Sequence, residues 1–129
     1  MQSFSPLDWL VATQSRGVQP GLERMERLLA ALGNPERGLR SLHVAGTNGK
    51  GSVCAFAESM LRSSGHRVGL YTSPHLVEFS ERIRIDGVNA SAEEIAIGIN
   101  RLREVTAGWR ETEQPTFFEL VTALAFELF

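Results

Sequence analysis

Between an apolar run, Ser41-Leu42-His43-Val44-Ala45, and a segment whose apolar residues Val53, Phe56, Ala57, Met60 and Leu61 recur at helical spacing, the chain reads Gly46-Thr47-Asn48-Gly49-Lys50-Gly51-Ser52. This juncture constrains the fold more than any other stretch. Glycine reaches positive φ at no steric cost and lets a backbone approach a ligand closely. The helix that follows offers unpaired amides and the positive end of its dipole. A strand, a glycine turn and a helix in that order make a place where several N–H groups converge on a polyphosphate. Gly46, Gly49 and Gly51 supply the backbone freedom, Lys50 a cation for the β and γ phosphates, and Ser52 a hydroxyl at the helix start. Lys50 is the single lysine in a chain with 13 lysines and arginines together, at the one point where a compact ammonium suits a phosphate.

The loop departs from the pattern G-x-x-x-x-G-K-[ST]. Its first glycine would fall at Val44 and its hydroxyl residue at Gly51. What remains is a shorter G-x-x-G-K core, which average composition produces by chance in roughly one chain in thirty of this length. The bland reading is a glycine-rich turn. The flanking pattern favours phosphate binding, because the mechanism needs a strand before the loop and a helix after it.

The remaining elements follow from periodicity and punctuation. Ser5-Pro6 opens a short helix to about Thr13, and Gly17 to Pro20 is a loop. Leu22, Met25, Leu28, Leu29 and Leu32 mark a helix that Gly33 stops. The helix after the phosphate loop ends at Gly65. Val68 to Tyr71 reads as a second strand, so that 41–71 form a βαβ unit with a right-handed parallel crossover. Thr72 to Glu81 is a loop, Arg82 to Ile85 a half-exposed strand, and Asp86-Gly87 a turn. Ser91 with Glu94, and Thr116 with Glu119, are capping boxes that open two further helices. The expected class is α/β, a P-loop-type parallel sheet with flanking helices. Two parallel strands are few for a doubly wound sheet, so residues 1–129 are expected to be the front part of a nucleotide-binding domain, with 1–40 a helical lead-in.

With 129 residues, 43% hydrophobic and 22% charged, the chain has the composition of one globular domain. A net charge of −2 with interspersed signs argues against a nucleic-acid partner and against polybasic membrane attachment. No apolar run reaches the length of a transmembrane helix, and the N-terminus has no signal-peptide pattern. The lone cysteine, Cys54, fits a reducing cytoplasm and reads as a small buried hydrophobe rather than a nucleophile. His43 reads as a packed strand residue and His66 as solvated.

Four stretches resemble one family. His43-Val44-Ala45-Gly46-Thr47-Asn48-Gly49-Lys50-Gly51-Ser52 resembles the phosphate loop of folylpolyglutamate synthases and dihydrofolate synthases, relatives of the Mur peptide ligases. Gly21-Leu22-Glu23-Arg24 is similar to an early segment of that family. Val68 to Leu76, followed by Glu81-Arg82-Ile83, is similar to its second strand and the loop beyond. Pro115-Thr116-Phe117-Phe118-Glu119 is similar to the segment before a core helix. The matches run in the family's order over about residues 20–129.

The resemblance implies a cytoplasmic ATP-dependent ligase of folate biosynthesis, using ATP and Mg²⁺ and monomeric at full length. It would add L-glutamate to dihydropteroate or to reduced folates through an acyl phosphate. Carried over by position, Thr47, Asn48, Gly49, Lys50, Gly51 and Ser52 hold the ATP phosphates, with Lys50 catalytic. Ser73 ligates Mg²⁺, with Ser52 a second candidate, and Thr116, Phe117, Phe118 and Glu119 contact the pterin. His75 lies near the folate site without a chemical role, and Gly17 to Pro20 align with another pterin-side loop. The bland reading of Ser73 is a loop serine bonded to backbone, and that of Thr116 and Glu119 a capping box. The family's later metal ligands, its modified lysine and its glutamate-binding C-terminal domain would fall beyond Phe129, so 129 residues alone are expected to give no turnover. The alternatives are a Mur-type ligase acting on cell-wall precursors and a non-catalytic nucleotide-binding module.

Overall fold

The computed structural model describes residues 5–17, 19–44, 49–72 and 82–129. In chain order its elements are helices α1 (Pro6–Ala12), α2 (Glu23–Ala31) and α3 (Lys50–Ser63), strands β1 (Gly69–Tyr71), β2 (Ile83–Ile85) and β3 (Val88–Asn89), and helices α4 (Ala92–Thr106) and α5 (Phe117–Leu128). Short 3₁₀ turns cover Thr13–Arg16 and Glu111–Glu113. The chain divides into two compact units, Met1–Gly38 with Ala92–Phe129, and Leu39–Ser91.

The first unit is helical. Ser5 caps α1, its hydroxyl accepting from the Asp8 amide at 3.1 Å, and Pro6 occupies the first helical turn. That is the local chemistry expected of a serine followed by proline. At the end of α2, Gly33 (φ +87) and Asn34 (φ 56) turn the chain left-handed, and the Asn34 amide returns to the Leu29 carbonyl at 2.7 Å. The core is built where the apolar stripes of the four helices meet. Leu10, Leu28, Ile99, Leu102, Leu120, Val121 and Leu124 are fully buried there, each side chain contributing about 1.5–3 kcal/mol on removal from water. Helix α5 supplies the largest share because it is apolar on nearly every face. Gly98 lets α4 and α5 approach, since a Cβ at that position would overlap Leu124 Cδ1.

The second unit holds α3 and a three-stranded sheet in the order β1-β2-β3. Leu70 pairs with Arg84, and Arg84 with Asn89. Asp86 and Gly87 carry φ of 52° and 81°, the pair of positive values that a tight two-residue hairpin requires. Asp86 also binds back to the strand beside it. Its Oδ1 accepts from the Val68 amide at 2.7 Å, and its own amide donates to the Val68 carbonyl at 2.8 Å. The Arg62 guanidinium, from the end of α3, lies so close over Gly87 that a Cβ there would come within 2.6 Å of it.

The mixed helix-and-sheet class is borne out, but the strand pairing differs from expectation. Among the described residues every strand pair is antiparallel. Residues 41–44 form no strand, and Leu42 is 68% exposed. His43 is exposed rather than packed, whereas His66 is exposed as expected. The physical reason is that a strand exists only through its ladder. A five-residue apolar run announces burial without naming a neighbour, and within the described residues β1 pairs with β2. Helix α3 forms where periodicity put it. Its apolar residues Val53, Phe56 and Met60 nonetheless stand more than half exposed.

Candidate functional site

Helix α3 opens as the glycine loop requires. Gly49 is its N-cap, with φ 77° and ψ −2°. This is the left-handed region, which costs a residue with a Cβ about 1–2 kcal/mol. The Gly49 carbonyl takes the first helical hydrogen bond, from the Val53 amide at 3.0 Å. Helix geometry therefore leaves the amides of Lys50, Gly51 and Ser52 without an intrahelical acceptor. Ser52 is exposed in this first turn. Amides with no acceptor inside the helix, a helix dipole and a hydroxyl thus share one end of α3, an arrangement suited to an anion. Thr47, Asn48, Ser73 and His75 lie outside the described residues.

The other candidate cluster belongs to the helical unit. Thr116 caps α5: its Oγ1 accepts from the Glu119 amide at 3.3 Å, while Glu119 Oε1 accepts from the Thr116 amide at 2.9 Å. The same carboxylate takes a two-pronged bond from Arg24 of α2, Nε to Oε1 at 3.0 Å and Nη2 to Oε2 at 3.1 Å. Arg24 Nη2 also donates to the Gln19 carbonyl at 2.6 Å. Thr116 and Glu119 are buried and Phe118 is 60% exposed. The structure therefore joins the segment 116–119 to the loop before α2. The two candidate clusters lie on different units.

A cavity of about 410 Å³ opens elsewhere in the helical unit, against Trp9, Arg16, Arg103, Trp109 and Gln114. Arg16 Nη1 donates to the Pro115 carbonyl at 2.6 Å. Burial pushes the Arg16 guanidinium below its ordinary pKa, and Glu111 partly opposes that. Arg27 lies 3.9 Å from the centroid of the Trp109 ring and pairs with Glu113 at 2.9 Å. No cluster of three or more His, Cys, Asp or Glu able to hold a metal occurs among the described residues. No helix among them is long and apolar enough to cross a membrane.

No protein-family model matches the chain. Individual proteins do. The dihydrofolate synthase/folylpolyglutamate synthase of Bacillus subtilis is 46% identical over 123 residues, covering 94% of this chain and 29% of its own length. A folylpolyglutamate synthase of Thermotoga maritima superposes with a TM-score of 0.85 at 41% identity, over 95% of this chain and 29% of its own. The chain belongs to the folylpolyglutamate synthase and dihydrofolate synthase family. An Escherichia coli member of that fold, FolC, solved with DHPP and ADP, superposes with a TM-score of 0.84 at 32% identity, over 98% of this chain and 30% of its own. The chain spans under a third of the length of these members of the folylpolyglutamate synthase family.

Within that family frame, the sequence located the glycine start of α3 and the capping box of α5. It missed Arg24 as a partner of Glu119. The signal was present in Gly21-Leu22-Glu23-Arg24 as a similar segment, but nothing local says that this arginine reaches a residue 95 positions away.

Proposed function

We propose that the protein carrying this chain is an ATP-dependent ligase that adds L-glutamate to dihydropteroate, to reduced folates, or to both. The observation that carries the reading is the start of α3: a left-handed Gly49 followed by Lys50 and an exposed Ser52, in a chain 46% identical to a synthase of that name. In the reaction a carboxylate oxygen of the pteroate or folate attacks the γ-phosphorus of ATP, and ADP leaves. The amine of glutamate then attacks the acyl carbon, loses a proton and expels phosphate, leaving an amide.

The residues divide the work. Thr47, Asn48, Gly49, Gly51 and Ser52 hold the phosphates through backbone and hydroxyl groups. Lys50 screens the repulsion between two anions that must approach each other. Mg²⁺ would supply further charge neutralisation. It accepts few protein oxygens beside phosphate and water, and the exposed hydroxyl of Ser52 suits such a site; Ser73 is assigned to it by resemblance. Thr116 to Glu119 form the pterin-side segment. FolC was solved with DHPP and ADP, and ligands of those two kinds are what this division of residues provides for.

The test is ATP-dependent coupling of glutamate by the full-length gene product. Turnover of dihydropteroate or tetrahydrofolate is the expected result. Turnover of UDP-linked muramyl substrates in their place would overturn the folate reading, and nucleotide binding without any coupling would support a non-catalytic module. Lys50→Ala should lower the rate by at least about a hundredfold, as loss of a group that stabilises transition-state charge does. An unchanged rate and ATP affinity would refute its role.

A further inference from the structure

Glu119 comes to the pterin side by resemblance, yet both of its oxygens are already engaged within the protein. Oε1 accepts from Arg24 Nε and from the Thr116 amide, and Oε2 accepts from Arg24 Nη2. The capping box explains the bond to Thr116. It does not explain Oε2, nor a guanidinium reaching across from α2. A carboxylate held this way, in a residue only 8% exposed, has three of its four acceptor sites taken and one left, on Oε2. Most of its bonding capacity goes to what it holds.

What it holds is an alignment of two segments. Arg24 grips the first turn of α5 with one edge of its fork and the Gln19 carbonyl with Nη2, at 2.6 Å. Phe118 stands in that first turn, one residue before Glu119, and projects 60% exposed. We infer that Arg24 is a positioning residue of the pteroate-binding side: it locks the loop at Gln19 to the first turn of α5 so that Phe118 meets the substrate ring in one fixed pose. The planar fork matters, because a lysine can offer charge but not two parallel bonds to one carboxylate plus a third to a carbonyl. The inference rests on the functional reading above.

The experiment uses the full-length protein with Arg24→Gln, Arg24→Lys and Glu119→Gln. It measures KM and kcat for dihydropteroate and for ATP, together with hydrogen exchange at the amides of Thr116 to Glu119. Arg24→Gln should raise KM for dihydropteroate by about tenfold or more, leave KM for ATP within about twofold, and speed exchange in the first turn of α5. Arg24→Lys should recover only part of the loss. If KM for dihydropteroate is unchanged, if lysine restores it fully, or if both KM values rise together in step with a falling Tm, the inference is overturned. Where Arg24→Gln does not fold, Arg24→Lys and Glu119→Gln carry the same comparison. If the parent protein couples glutamate to neither substrate, the functional reading fails by itself. The exchange measurement still decides the clasp: unchanged protection in the Arg24 variants refutes it, and faster exchange supports it.

Discussion

Gly98 lies in the middle of α4, where alanine would ordinarily gain about 1 kcal/mol of helix propensity. Its Cβ would overlap Leu124 Cδ1, and Leu124 is fully buried with no solvent to move into. Overpacking of this kind costs about 1–3 kcal/mol, so Gly98→Ala should be destabilising on balance. Urea denaturation of the chain reads this as a lower midpoint, and a higher midpoint would mean that Leu124 finds another rotamer. Gly49 offers a contrast. No atom of the described residues crowds a Cβ there, so the cost of Gly49→Ala expected from them is that of the left-handed backbone, about 1–2 kcal/mol. Lost helicity in α3 by amide exchange, with unchanged α4 and α5, is the expected signature.

Each helix end shows whether local chemistry suffices to place an element. Ser5-Pro6 and Thr116-x-x-Glu119 were legible because a cap and its amide are three residues apart, and the structure has both. Thr116→Val keeps the shape and removes the acceptor, so it should cost about 1 kcal/mol, measured by thermal unfolding. A neutral result would show that Arg24 and Glu119 hold the turn without the threonine. The start of α3 was legible for the same reason, since Gly49 and Lys50 belong to one local glycine-turn and helix pattern. The sheet was less so. Ser41 to Ala45 carries the composition of a strand, but pairing is decided by a neighbour that composition does not name. The hairpin at Asp86-Gly87 was readable as a turn, and β3 beyond it was not, because Val88-Asn89 is too short for alternation to register. Arg24 and Glu119 are each visible in the sequence, but their meeting is a property of the tertiary fold.

Across the chain, burial is uneven. Among the described residues, every buried apolar side chain except Ile83 and Ala90 belongs to the helical unit. The described residues of the unit 39–91 form a short three-stranded sheet and a helix on which Val53, Phe56, Met60 and Leu61 stand exposed. Regions with few buried apolar contacts open at lower free energy. Amide exchange should therefore be faster in α3 and β1 than in α4 and α5, and equal protection in both units would refute that ordering. Because MgATP would bind at the start of α3, the functional reading adds that saturating nucleotide slows exchange in α3 first.

The helical unit is assembled from the two ends of the chain, with 39–91 between them, and α5 brings the largest share of its core. Arg24 and Glu119 are 95 residues apart. During synthesis at about 5–20 residues per second, α1 and α2 would leave the ribosome and wait roughly 5–20 s for the helix that covers them. Until α4 and then α5 emerge, Leu10 and Leu28 lack the helices they are buried against. A nascent chain stalled before α5 should therefore be captured by chaperones and cut readily by protease, and one stalled far enough beyond Phe129 for α5 to clear the exit tunnel should resist both.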